Sequence, residues 1–268
     1  MGVLRQMLMW ASDESILNRR DNPASKIQKN LPKKKTGERV LSLREARIVW
    51  NAAQAAGYAF GWHAQLMLLS ACRLDEWASA RRSWLDLDEA LLVIPADDYK
   101  SDHVHVVPLV PQAVELLRRL PVATKGDYVL SSTGGSRPIQ GVSKFFNTRL
   151  RDEIIAQTGT PLPHFTSHDL RRTVATRLAE SLGDEGDKLI KRVLGHSDGS
   201  VTAIYNRYGY VREMRRALEQ WANDLTASSP PSSNSELTLV TGGMAEDKRE
   251  QAPPAAASVT LRHRCGFE

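Results

Sequence analysis

Residues 164–208 read HFTSHDLRRTVATRLAESLGDEGDKLIKRVLGHSDGSVTAIYNRY and gather groups suited to phosphate. His168 and Arg171 are three apart in a segment that begins as a helix, so both face one side, about a turn apart. Thr166 and Ser167 supply cap oxygens ahead of them, which puts His168 in the first turn, where unpaired N–H groups and the helix dipole favour an anion. Further on, Gly195 in Leu194-Gly195-His196 is placed as a helix stop. Asp198-Gly199-Ser200 then makes a turn, and a short helical run delivers Tyr205. Two histidines, an arginine and a tyrosine suit phosphate chemistry better than metal chemistry. The sequence shows no clustered carboxylates of the kind that hold two metals in nucleases.

Two more cations draw notice. Cys72-Arg73-Leu74-Asp75-Glu76 follows the apolar run HAQLMLLSAC. An arginine so placed is costly unless it meets an anion or a carboxylate, and Glu76 is the carboxylate within reach. Lys100 falls in the turn between two β-branched stretches, where a lysine is ordinarily inert.

HDLRR followed by LGHSDGSVTAIYNRY resembles the C-terminal signature of the tyrosine recombinases, the phage integrase family. That family shows His-x-x-Arg, then Leu-Gly-His, then a nucleophilic tyrosine nine positions after that histidine, here His196 to Tyr205. Its first catalytic arginine lies in a Gly-x-Arg-x-x-Glu setting, matched by Arg73 with Ala71 in place of the glycine. Its catalytic lysine sits on a β-hairpin just before a Val-Pro-Leu strand, matched by Lys100 and Val107-Pro108-Leu109.

The resemblance implies a site-specific DNA recombinase acting by transesterification, with catalytic residues Arg73, Lys100, His168, Arg171, His196 and Tyr205. Tyr205 attacks a phosphodiester and forms a 3′-phosphotyrosyl link; Tyr208 is the next choice. Arg73 and Arg171 clamp the non-bridging oxygens, and His196 adds a hydrogen bond. His168 accepts or relays the tyrosine proton, and Lys100 protonates the leaving 5′ oxygen. No metal, ATP or other cofactor is implied. The implied partners are double-stranded DNA attachment sites and further copies of the chain, in a tetrameric synapse on DNA. The implied location is the cytoplasm, at the nucleoid. The alternatives are a non-catalytic DNA-binding remnant and, further off, a protein–protein adaptor.

The elements that must position these groups imply an α+β class, mainly α-helical, with a small antiparallel sheet. Val3, Leu4, Met7, Leu8 and Trp10 recur at helical spacing within residues 1–24. They give either an amphipathic helix lying on the core or, by the resemblance, the last helix of a truncated helical DNA-binding domain. Residues 25–40 are basic and hold Pro32, as an interdomain linker does; the charge is either solvated or a strap over DNA phosphates.

The catalytic domain spans residues 41–225. Ser42 and Glu45 stand at capping-box distance and open a helix carrying Ala46, Val49, Trp50 and Ala53, with Gly57 and Gly61 as breaks. HAQLMLLSAC is apolar enough for a buried helix. LLVIPA and HVHVVPLV form a hairpin, with His103 and His105 as ordinary surface or flank residues. PQAVELLRRL is a helix with Pro111 near its start. One further helix runs from Ile139 to Gln157, with Lys144, Arg149 and Arg151 either on DNA or in solvent. Residues 211–225 are amphipathic and pack on their own domain or, by the resemblance, on a neighbouring protomer. From Thr226 to Glu268 the composition turns to Ser, Pro, Ala and charge, the pattern of a disordered tail.

Bulk properties set outer bounds. With 268 residues and 41% hydrophobic content, one or two domains with a sizeable core are possible. The net charge of +5 suits a polyanionic partner and also simple solubility. Two cysteines, Cys72 and Cys265, make neither a disulfide framework nor a zinc spacing. No apolar run reaches the roughly 18–20 residues of a membrane span.

Overall fold

Helical spacing of apolar residues starts at the chain's beginning, and in the computed structural model Gly2–Asp13 is helix α1. The structure describes residues 2–13, 39–99, 103–183, 186–196 and 210–227. Val3, Met7 and Trp10 recur on one face of α1, and all three are well exposed.

The next helix, α2 (Leu43–Ala56), starts where the sequence places it. Ser42 N–H donates to Glu45 Oε2 at 2.8 Å, and Glu45 N–H donates to Ser42 Oγ at 3.2 Å. Ala46, Val49, Ala52, Ala53 and Ala56 are buried, and Gly57 closes the helix at φ +69°. Gly61 does not break anything. It lies inside α3 (Phe60–Ser70), where a Cβ would sit 2.0 Å from the Ala53 carbonyl oxygen. The glycine therefore lets α2 and α3 touch backbone to backbone.

The residues from His63 to Ser70 are all buried, so α3 has no solvent face and is the central element of the core. It ends at Ala71 in the left-handed conformation, φ +56°. A short helix α4 (Leu74–Ala78) follows. Strands β1 (Leu85–Asp86), β2 (Leu91–Ile94) and β3 (His105–Pro108) form an antiparallel sheet in sequence order, with Leu92 opposite Val107. Pro111 opens α5 (Pro111–Arg118).

Two helices, α6 (Val142–Asn147) and α7 (Arg149–Thr158), stand where periodicity gives one. The break is at Thr148, with φ −122° and ψ −95°. Its hydroxyl donates to the Lys144 carbonyl at 2.8 Å, the carbonyl that its own N–H also uses. With this bend, Phe145, Phe146, Leu150 and Ile154 are all buried. Arg149 is engaged within the fold, donating to the Ala56 carbonyl at 2.7 Å.

Three helices complete the description: α8 (Ser167–Leu182), α9 (Asp187–Val193) and α10 (Val211–Thr226). α3 is packed by α2, α8 and α10, and α10 also covers β3. α10 buries Met214, Ala217, Leu218, Trp221, Ala222 and Leu225 on its own domain, and Trp221 Nε1 donates to the Leu68 carbonyl at 2.7 Å. Among the described residues, no helix is long and apolar enough to cross a membrane. The expected basic linker up to residue 38, the Asp198-Gly199-Ser200 turn and the tail from residue 228 lie outside the described residues.

Candidate active site

Arg73 stands at the junction of α3 and α4, just after the left-handed Ala71. Its backbone N–H donates to Glu76 Oε2 at 2.7 Å, and its Nη1 donates to Glu76 Oε1 at 2.7 Å. Glu76 is buried, so the carboxylate expected as Arg73's outlet is present and holds the arginine by both ends. Nη1 also donates to the Tyr99 hydroxyl at 2.6 Å, and the guanidinium lies over the Tyr99 ring, 5.4 Å from its centroid. Burial works against the cation, but the bonds to Glu76 and Tyr99 outweigh it and leave its pKa raised. Among the described residues Arg73 keeps Nε and Nη2 uncommitted, the fork edge that suits a phosphate.

Arg171 lies in the second turn of α8. Thr166 N–H and Oγ both donate to Asp169 Oδ2 at 2.8 Å, which fixes the start of that helix. His168 is exposed in the first turn, as the cap residues imply. Arg171 is only 5% exposed. Its Nη1 donates to the Ala71 carbonyl at 2.6 Å and its Nη2 to the Leu194 carbonyl at 2.5 Å. One guanidinium thus fastens the turn before Arg73 to the turn before His196. Burial pulls its pKa down, opposed by the Glu76 carboxylate.

Gly195 has φ +60°, as a helix stop requires, and it also answers a second demand. A Cβ there would lie 2.0 Å from the Tyr99 hydroxyl oxygen. The contact is a hydrogen bond in which Tyr99 donates to the Gly195 carbonyl at 2.9 Å. His196 N–H donates to the Lys191 carbonyl at 2.8 Å, closing α9. Partial burial lowers the His196 pKa, and Arg171, Arg73 and Lys191 lower it further, so the ring is neutral at neutral pH. The fold therefore brings Arg73, Arg171 and His196 together. His168 is on the same helix as Arg171. Lys100, Tyr205 and Tyr208 lie outside the described residues.

Two participants go unseen in the sequence reading. His105, expected at the surface or flank, is 4% exposed, enclosed by the Tyr99 ring, the Gly195 turn, Cys72 and Glu76. Its Nε2 has no hydrogen-bond partner among the described residues, and burial pushes its pKa down to about 4. Tyr99 is 3% exposed and packs edge-on to His103 and at a tilt to His105, each ring centroid 4.9 Å away. The valine-rich strand carried a hint of His105's burial; nothing local marks Tyr99.

Cys72, Glu76 and His105 bring a thiol, a carboxylate and an imidazole nitrogen within 4.8 Å of one another, a set that could in principle ligate a cation. Both Glu76 oxygens already accept from Arg73. Arg73 and Arg171 both act electrostatically on His105, so a further cation would meet two guanidiniums. Burial and Glu76 also raise the Cys72 pKa, which keeps it a thiol. The cluster serves as the support of Arg73.

The family model described as the phage integrase family matches residues 39–211. Prophage integrase IntZ of Escherichia coli K12 is 27% identical over 207 residues, covering 75% of this chain and 49% of the relative. Tyrosine recombinase XerC of Pseudomonas aeruginosa LESB58 is 27% identical over 189 residues, covering 70% of this chain and 59% of the relative. The chain thus spans about half to three-fifths of the length of these curated relatives. The integrase of transposon Tn1549, solved in complex with transposon right end DNA, has a TM-score of 0.55 at 17% identity, covering 81% of this chain and 76% of that one. The integrase from mycobacterium phage Brujita has a TM-score of 0.52 at 18% identity, covering 85% and 72%. These likenesses show the fold, and the family match covers most of the chain that holds the two arginines and His196. The chain belongs to the phage integrase family.

Proposed function

We propose that this chain is the catalytic part of a site-specific DNA recombinase that cuts and rejoins strands through a 3′-phosphotyrosyl intermediate. The observation that carries this reading is Arg171, whose guanidinium joins the Arg73 turn to the His196 turn and sets three phosphate-directed groups side by side. A phosphodiester seated there meets the Nε–Nη2 edge of Arg73 and the remaining donors of Arg171, which stabilise the charge of the pentacoordinate state. His196, neutral, donates one more hydrogen bond.

The remaining roles rest on the motif match. Tyr205 attacks phosphorus and the P–O5′ bond breaks. A free tyrosine has a pKa of about 10 and is a poor nucleophile at neutral pH, so His168 takes its proton. Lys100 gives a proton to the leaving 5′ oxygen. A second strand's 5′ hydroxyl then attacks the phosphotyrosine and releases Tyr205. The number of phosphoester bonds is conserved. The partners in this reading are double-stranded attachment sites and further copies of the chain in a tetrameric synapse, at the nucleoid in the cytoplasm. Residues 1–24 are the end of a DNA-binding domain, 25–40 a basic linker, 41–225 the catalytic domain and 226–268 a disordered tail.

The test is incubation in EDTA with nicked duplexes spanning candidate attachment sites, followed by a denaturing gel. A slow-migrating covalent adduct is expected, absent in Tyr205→Phe, with DNA binding kept. An adduct of undiminished yield in Tyr205→Phe would refute the nucleophile, and bound DNA without any adduct would refute the enzymatic reading.

A further inference from the structure

The Tyr99 hydroxyl sits where the two halves of the site meet. It accepts from Arg73 Nη1 at 2.6 Å and donates to the Gly195 carbonyl at 2.9 Å. A phenylalanine would fill the same buried space, and a buried hydroxyl is tolerated only when it is bonded. Both of its partners belong to the site. Gly195 is shaped to it as well: a left-handed residue can be asparagine, but any Cβ here would lie 2.0 Å from this oxygen.

We propose that Tyr99 is a positioning residue for strand cleavage, whose hydroxyl holds the Arg73 fork and the Gly195–His196 peptide in one fixed arrangement. The proposal rests on the recombinase reading. Nη1 of Arg73 has two N–H bonds; one goes to Glu76 and the other to Tyr99. With Glu76 alone, the guanidinium can pivot about a single side-chain contact. With both, its Nε–Nη2 edge has one direction. The same oxygen orients the Gly195 carbonyl, and with it the peptide leading into His196. Arg171 holds the neighbouring Leu194 carbonyl, so two successive carbonyls of this turn are each fixed by a site residue. Tyr99 touches no reacting atom and acts through Arg73 and His196.

The test uses Tyr99→Phe, which keeps the ring and its stacking under Arg73. Single-turnover adduct formation on nicked DNA is compared with DNA affinity and with urea stability, in the full chain. Loss of a hydrogen bond to a charged group corresponds to a rate about 10- to 100-fold lower. The expected result is that loss with the DNA Kd unchanged within about twofold. In an Arg73→Lys background, the further effect of Tyr99→Phe should shrink to the part carried by the Gly195–His196 peptide, because the rest acts through that guanidinium. In stability, Gly195→Ala should be less damaging when Tyr99 is already phenylalanine.

An unchanged cleavage rate in Tyr99→Phe overturns the proposal while leaving the recombinase reading intact. So does a rate loss that follows DNA affinity or unfolding, or one fully additive with Arg73→Lys. A wild-type chain that binds DNA and forms no adduct, with Tyr99→Phe and Gly195→Ala still coupled in stability, overturns both: Tyr99 is then a structural key alone.

Discussion

Ala71 holds φ +56° while 0% exposed, and its carbonyl receives Arg171. A left-handed L-residue is strained by about 1–2 kcal/mol, partly offset by the greater chain entropy of glycine. Ala71→Gly should therefore stabilise the chain by about 0.5–1 kcal/mol in urea unfolding, with Arg171 still placed. Gly195 is the opposite case. Gly195→Ala adds left-handed strain and a Cβ against both Tyr99 and His105, and should lower stability by about 2–5 kcal/mol. Arg73 presents a fork that lysine lacks. Arg73→Lys should slow adduct formation by about 10²–10³-fold, measured under single turnover, with DNA affinity nearly kept.

Among the elements, α10 ties the C-terminal end of the domain to α3. Trp221→Phe removes the Nε1 bond to the Leu68 carbonyl and leaves a small void, so a loss of about 1–3 kcal/mol is expected in urea unfolding. Such elements were legible from the chain in proportion to how local their causes are. The capping box at Ser42, the apolar run of α3, the β-branched hairpin and the cap before His168 all have causes within a few residues, and each stands where expected. The break between α6 and α7 was not legible, because both sides favour helix and a single hydroxyl with the burial around it decides the bend. Gly61 misled for the same reason: its role is contact with Ala53 of a neighbouring helix. In the site, motif spacing pointed to Arg73, Arg171 and His196, which do converge. Tyr99 had no local signal, since its partner Gly195 is 96 residues away.

At the scale of the whole molecule, two buried histidines set an acid limit. His63 and His105 are almost fully enclosed, and burial pushes both pKa values down to about 4. His63 Nε2 lies 2.9 Å from the Leu74 carbonyl, so its neutral ring carries the proton there. In the unfolded chain these rings titrate near 6.5, so between about pH 6.5 and 4 the unfolded state binds more protons. Stability should be fully present above about pH 6.5 and fall as pH drops towards 4, by up to about 3 kcal/mol per histidine. Urea unfolding from pH 7.5 to 4.5 measures it, and His105→Gln should flatten the slope. The bonds of Arg171 have a consequence for synthesis. Its anchors are Ala71, 100 residues upstream, and Leu194, 23 residues downstream. A nascent chain on the ribosome that has not yet exposed Leu194 lacks one of the two anchors and has no His196 to offer. On the recombinase reading proposed above, a translation product that stops short of Leu194 lacks both the second anchor of Arg171 and the histidine that follows it.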